Sequence, residues 1–427
     1  MKLSYKIDEV KTKNILNIAF DVSKDDLHVY TEFGSSKINC IQDHFSNNIE
    51  MIQSKLTEYK KLAVTNNFDN IQVLCEPTGG YEKKLMHLAR QLDCYTSYVS
   101  GESVSKYKVV ENNEPSKSDL KDPRVILLVG KVGKLIKHRL LPEEYDLLRH
   151  YNRMHDQENE QKIYIKNQLT VEIKNLFCDF SFKNSFLYGT SGRILIERFH
   201  CNPYLIVECG YARFCRVMKK HVPYIKGKTL ERIWADAQRS TRLIMTVSMI
   251  ELLENRIKQL WQNYLHHEQC LAQIKDQMSE IYQKLLDAGE AIPRAEKGFV
   301  SQTNLARIIG ETGPLTDFKH ASQLIRFGGM ALRLRQSGKY KGKDKISKKG
   351  RARLRLILSQ SIFHLVKMDR ILGGLYHRKK QEGMPGTKAM TVVSRKLLEV
   401  LLALSRPGAV YDPERLFTCQ SQFEKAA

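Results

Sequence analysis

Several features that would settle a class at once are missing from this 427-residue chain. Its nine cysteines, at 40, 75, 94, 178, 201, 209, 215, 270 and 419, form no CxxC pair and no Cys/His zinc spacing, which argues against a zinc module or a disulfide framework. An odd cysteine count without a signal peptide fits reduced thiols and a cytoplasmic protein. No apolar run approaches the roughly 18 residues needed to span a bilayer. Even Val392–Ser405 is interrupted by Arg395, Lys396 and Glu399, so membrane insertion is not expected. Internal repeats and low-complexity tracts are absent too. Acidic residues are in deficit, 47 Asp and Glu against 69 Lys and Arg, for a net charge of +22. A surplus of that size points to a polyanionic partner, nucleic acid or an anionic membrane surface.

What is present is unevenly spread. Residues 1–100 hold 12 Lys/Arg against 13 Asp/Glu, a balance of −1, whereas residues 331–427 hold 22 against 7, a balance of +15. A uniformly solubilising surface would not segregate in this way: one end is acidic enough to hold cations and the other is built to meet phosphates. The length implies two or three domains, and 42% hydrophobic residues leave ample material for cores.

Ile15–Phe20 is a short apolar run ending at Asp21 and reads as a buried central strand. Leu27–Phe33 and Ser36–Ile41 read as hairpin strands, Asn48–Ala63 as a helix, Ile71–Leu74 as a strand ending at Cys75-Glu76, Gly80–Leu92 as a helix and Tyr95–Val99 as a strand. Three strands followed by alternating helices and strands predict a mixed α/β sheet. Leu141 to about Leu176 and about Leu230 to Leu286 are polar with helical period and predict a long helical hairpin or coiled coil. Between them, residues 180–227 look like a small insert rich in aromatics and cysteine. Beyond Pro293, short helices are expected at Leu305–Gly313 and Phe318–Gly329, then the basic stretch Ala331–Arg355, with 11 Lys/Arg and the single acid Asp344. Helical patterns resume at about Lys349 and at Lys388–Leu404. The expected domains are 1–140, α/β; 141–290, helical with its insert at about 180–227; and 291–427, basic and mainly α.

Asp21 and Glu76 each end a strand. If those strands are parallel neighbours, both carboxylates emerge at the carboxyl edge of the sheet, where open α/β sheets place their ligands. Asp119 and Asp122 lie three apart, on one face in helical spacing. Clustered carboxylates repel unless cations neutralise them, and hard oxygen donors suit Mg²⁺ or Mn²⁺. Each residue has a plainer reading: an Asp that ends a strand can begin a turn, and Asp119 or Asp122 can cap a helix.

In the basic stretch, Ser337 is followed by Gly338, which lets backbone approach a ligand closely. Arg333, Arg335, Lys339, Lys341 and Lys343 surround it, with Lys348, Lys349 and Arg351 beyond, all candidates for binding nucleic-acid phosphates. A serine hydroxyl is a poor nucleophile without a base or metal. No histidine lies nearby in sequence, so the acidic metal site is the available activator, which would make a composite active site. The plain alternative is a turn in a phosphate-binding loop. Ser347 is a rival to Ser337, and a helix N-cap explains it well.

IAFDVSK (18–24), CEPTGGY (75–81) and KSDLKD (117–122) resemble the three blocks of the DEDD transposases of bacterial insertion sequences, the IS-one-ten and IS-eleven-eleven family, which includes Piv-type DNA invertases. FGGM (327–330) with RLRQSG (333–338) resembles that family's C-terminal transposase domain. The resemblance implies a RuvC-like, RNase H-type N-terminal domain with Asp21, Glu76, Asp119 and Asp122 as metal ligands, and Ser337 as the nucleophile that attacks DNA. It also implies a structured noncoding bridge RNA as guide, element-end and target DNA as substrates, a homo-oligomer, and a nucleoid-associated place in the bacterial cytoplasm. One departure is Pro123, where the family usually has Ala after the last Asp; proline favours the first helical turn, so Asp122 is expected near a helix start. The four acids alone would equally serve a hydrolytic nuclease such as a Holliday-junction resolvase, from which Ser337 separates the recombinase. The remaining alternative is a non-catalytic nucleic-acid-binding regulator.

Overall fold

The computed structural model describes residues 14–33, 39–112, 122–295, 299–333, 336–337, 340–341, 345–368, 370–406 and 409, with backbone alone at 110–112, 336–337, 340–341 and 370. The chain divides into two compact units, Met1–Leu140 and Leu141–Ala427.

The first unit is a mixed α/β sheet. Its elements are β1 (Ile15–Val22), β2 (Asp26–Glu32), β3 (Cys40–Ser46), α1 (Ile49–Thr65), β4 (Asn70–Cys75), α2 (Lys83–Gln91), β5 (Tyr95–Val99), α3 (Gly101–Asn112), α4 (Asp122–Lys131) and β6 (Leu135–Lys137). The strand order is β3-β2-β1-β4-β5-β6. β1, β4 and β5 are parallel, while β2, β3 and β6 run antiparallel to their neighbours. Because side chains alternate along a strand, each central strand feeds two cores. Leu16, Ile18 and Phe20 join Ile71, Val73 and Cys75 beneath Ile52, Leu56, Leu85 and Met86 of α1 and α2. Ala19 and Leu74 point the other way, onto Val104 of α3 and Val125 and Ile126 of α4. Asn48 caps α1, accepting from the Met51 amide at 2.8 Å. The third strand lies later than expected: it runs from Cys40 rather than over Ser36–Ile41, of which residues 36–38 are outside the described residues. Only Phe45 of this edge strand is buried, so it carries little hydrophobic signal.

The second unit is helical. α5 (Glu143–Leu176) pairs with a helix of 41 residues, Val247–Asp287. Between them lie α6 (Asn184–Leu187), α7 (Thr190–Phe199), α8 (Pro203–Glu208), α9 (Tyr211–His221) and α10 (Gly227–Ser240), so the long partner is α11. The predicted stretch 230–286 is therefore two helices; Thr246 starts the second by accepting from the Met249 amide at 3.3 Å. The pair is antiparallel: Leu148, near the start of α5, shares a core with Met278 and Tyr282, whereas Ile173 shares one with Ile257 and Leu260.

The first of those cores continues into α12 (Gln302–Thr312), α13 (Ala321–Phe327), α14 (Ala352–Met368), α15 (Arg370–Gln381) and α16 (Gly386–Leu404). The second is closed by the insert helices. The basic stretch is a two-stranded arm, not a plain loop: β7 (Leu332–Arg333) pairs with β10 (Lys345–Ile346), and β8 (Gln336–Ser337) with β9 (Tyr340–Lys341). Among the described residues, no helix is long and apolar enough to cross a membrane.

Candidate active site

The parallel register of β1 and β4 pairs Phe20 with Cys75. The next residue on each chain is acidic, so Asp21 and Glu76 leave the carboxyl edge of the sheet level with one another. Alternation then fixes their side: Asp21 follows Ala19 and Glu76 follows Leu74, both on the face covered by α3 and α4. Asp122, in the first turn of α4, comes to the same face. Three carboxylates approach closely enough to be felt. Burial raises the Glu76 carboxyl above its ordinary range, the charge of Asp21 raises it further, Lys108 opposes, and Asp122 adds to the rise. Lys108 of α3 is salt-bridged to Asp122 at 2.5 Å. Asp119 lies outside the described residues.

Local sequence explains how Glu76 is held. In CEPTGGYE the buried Glu82 accepts from the Thr78 hydroxyl at 2.6 Å and from the Gly80 amide at 2.8 Å, tying the loop after β4 back on itself. Gly79 sits at φ +85°, a conformation that glycine adopts without strain. On the far side Gly101 opens α3 against Glu76; a Cβ there would stand 2.9 Å from Glu76 Oε2. Gly101 and Lys108 were not singled out from sequence, because their roles depend on how α3 docks.

Ser337 is the second residue of β8 and pairs with Tyr340 of β9. Gly338, Lys339, Arg335, Lys343 and Leu334 lie outside the described residues, and Lys341 is in β9. Arg333 is exposed in β7. The base of the arm is closely built. Gly329 at φ +66° and Gly350 at φ +152° meet there, and a Cβ on Gly350 would fall 2.3 Å from the Phe327 carbonyl oxygen. The Ser347 amide donates to Ala331 at 2.7 Å, and the Lys348 amide donates to Gly329 at 2.9 Å. Ser347 is therefore no N-cap: α14 begins five residues later, at Ala352, and Ser347 helps close the arm instead. Lys348, at φ 55°, and Lys349 are exposed.

Residues 18–178 match the DEDD transposase family of IS110 type, described as "Transposase", and residues 298–377 match the "Transposase IS116/IS110/IS902 family". Together the matches span more than half of the chain, one over the acidic sheet edge and one over the arm with Ser337. The chain belongs to the IS110-type DEDD transposases. No curated protein matches it. The transposase is thus an enzyme that acts on DNA, and its mixed α/β first unit, long helical middle and helical C-terminal region are those of a RuvC-like DEDD protein.

DEDD transposases use a divalent metal. Among the described residues, which do not include Asp119, no group of three or more His, Cys, Asp or Glu stands so as to hold a metal ion. The donor chemistry nevertheless fits such an ion: the oxygens are hard, the carboxylates repel one another, and Lys108 supplies a compensating positive charge.

Behind the arm of the transposase lies a second set of acids. Asp156 of α5 accepts from Arg307 of α12 at 2.8 Å and from Arg353 of α14 at 2.6 Å. Glu311, 1% exposed, faces Arg351 at 3.6 Å and Arg353 at 3.9 Å. Asn152 donates to the Arg307 carbonyl at 2.8 Å, and Arg149 donates to the Glu311 carbonyl at 3.0 Å. Gly310 lets α12 come this close to α5, since a Cβ there would stand 2.9 Å from Leu148. Arg351, expected to bind nucleic acid, is thus partly engaged within the protein.

Proposed function

We propose that the transposase is a site-specific recombinase that cleaves and rejoins DNA, with Asp21, Glu76, Asp119 and Asp122 holding Mg²⁺ or Mn²⁺ and Ser337 as nucleophile. The level placement of Asp21 and Glu76 beside Asp122 on one sheet face is the observation that carries this reading. When bound, the metal offsets the negative charge of the carboxylates and polarises phosphoryl oxygens. The protein's own part is to hold those oxygens level at a rigid edge and to bring the hydroxyl to phosphorus. In that step the Ser337 hydroxyl gives up its proton, its oxygen bonds to phosphorus, and one deoxyribose oxygen leaves and takes up a proton. One P–O bond forms and one breaks, so the phosphoserine ester retains the energy needed to rejoin DNA without another cofactor. Arg333, Arg335, Lys339, Lys341, Lys343, Lys348 and Lys349 supply positive charge to the phosphates around that ester, and Arg351 contributes charge that it shares with Glu311. Guidance by a structured noncoding RNA follows from the family resemblance and is supported by the +15 balance of residues 331–427; action as a homo-oligomer follows from the resemblance alone.

The test is a covalent adduct. Element-end DNA incubated with the transposase, with and without RNA transcribed beside it, gives a protein–DNA ester that Ser337→Ala abolishes along with recombination. Undiminished cleavage by Ser337→Ala, with no adduct from the unaltered chain, identifies a hydrolytic nuclease instead.

A further inference from the structure

The helical insert carries charge that neither the acidic edge nor the arm uses. Residues 211–228 contain Arg213, Arg216, Lys219, Lys220, Lys226 and Lys228 and no acidic residue. On α9 the sides are cleanly divided. Phe214 and Met218 are fully buried, and Phe214 packs on Phe199 at 5.3 Å and on Trp234 at 6.2 Å. At 100° per residue, Arg213, Arg216, Lys219 and Lys220 all fall on the opposite side, and all four are exposed. Among the described residues none of them forms an ion pair, although Glu208 and Glu231 stand on either side in sequence.

Like charges three and four residues apart weaken a helix. The helix dipole accounts for Lys219 and Lys220, which lie in the last turn, but it disfavours Arg213 in the first turn and does not account for Arg216 at the middle. An uncompensated row of this kind is stabilised when a polyanion covers it. A membrane surface fits poorly, since a helix lying on lipid needs a free apolar face and α9 has already buried its own. Arg213 to Lys220 spans about 10 Å of helix, and 10 Å of duplex carries about six phosphate charges.

We propose that the exposed face of α9 is a second DNA-binding surface, which grips the phosphate backbone of duplex DNA without reading its sequence. This inference rests on the family's action on DNA and not on the serine chemistry. The interaction is electrostatic, so it needs positive charge at those positions and not a particular side chain.

The experiment measures binding of the full chain to a mixed-sequence DNA duplex across a salt series, with chelator present so that no cleavage occurs. Replacing Arg213, Arg216, Lys219 and Lys220 together by Ala lowers the slope of log affinity against log salt by about 3.6, at about 0.9 for each phosphate no longer neutralised, and weakens binding at least about tenfold at low salt. Circular dichroism and melting stay unchanged, because all four side chains are exposed. Arg213→Lys with Arg216→Lys keeps the slope of the unaltered chain. An unchanged slope in the Ala variant overturns the proposal, and so does a loss confined to an RNA hairpin probe, which assigns the surface to RNA. Because nothing is cut in this assay, failure of the Ser337 chemistry leaves its outcome unaffected.

Discussion

Two sets of carboxylates in this transposase stand in opposite electrostatic settings. Asp21, Glu76 and Asp122 gather at a sheet edge with Lys108 as their neighbouring cation, and Glu76 is pushed up by burial and by Asp21. Asp156 and Glu311 lie between helices and face Arg307, Arg351 and Arg353. In the first set a like charge raises Glu76 while Lys108 pairs with Asp122, and the second set is met by three arginines. A carboxyl raised by burial and by a like charge is suited to taking up a cation, whereas acids met by arginines serve the fold, since removing one partner leaves a buried charge unmet.

The sharpest way to break the comparison is to neutralise one acid in each set. Asp21→Asn abolishes strand cleavage with a smaller loss of stability than Asp156→Asn causes, because it also removes a charge that repels Glu76. Asp156→Asn does the reverse. It leaves Arg307, 4% exposed, without its closest carboxylate, and lowers stability by about 3 kcal/mol in denaturant titration. Metal binding at the sheet edge, followed with Mn²⁺, is unaffected by Asp156→Asn. Equal loss of stability in both variants would erase the distinction.

A smaller effect separates the sets by pH. His155, beside Asp156 at 3.6 Å, is pulled down to about 4 by burial first and by Arg307 next. Its folded pKa lies below its unfolded value near 6.5, so the unfolded chain binds the proton more readily. Stability is complete above about 6.5 and is lost as pH falls from there through 4, by about 2 kcal/mol. His155→Gln flattens that part of the stability–pH curve, and an unaltered curve would show that this histidine does not report on the set. Smallest of all is the contrast between two serines. Ser301, which caps α12, costs about 1 kcal/mol when changed to Ala, whereas Ser347→Ala, a backbone closure of the arm, changes stability by less than about 0.5 kcal/mol.

The sheet edge was legible because β1 and β4 are short apolar runs whose ends carry the acids, and burial on both faces leaves little else that such runs can be. The long helices were legible for the same reason of period, and the insert announced itself by composition. The arm was not, because strands of two residues surrounded by lysine show no alternation. Ser347 looked like a cap only because the start of α14 was placed too early. The Asp156 set was hidden because Asn152, His155 and Asp156 read as the wet side of a coiled coil until α12 and α14 cover them. Sequence period reports which residues meet a core; it does not report which polar residues meet each other.

The long pair α5 and α11 runs through two hydrophobic cores, one shared with the C-terminal helices and one with the insert. Between the cores the pair is joined by polar contacts, Glu158 with His267 and Lys162 with Glu268. Each helix is therefore a member of two cooperative blocks at once. Amide protons at its two ends exchange with solvent on separate schedules, Leu148 and Met278 with the C-terminal helices, Ile173 and Ile257 with the insert, and a continuous helix can fray at one end while the other stays protected.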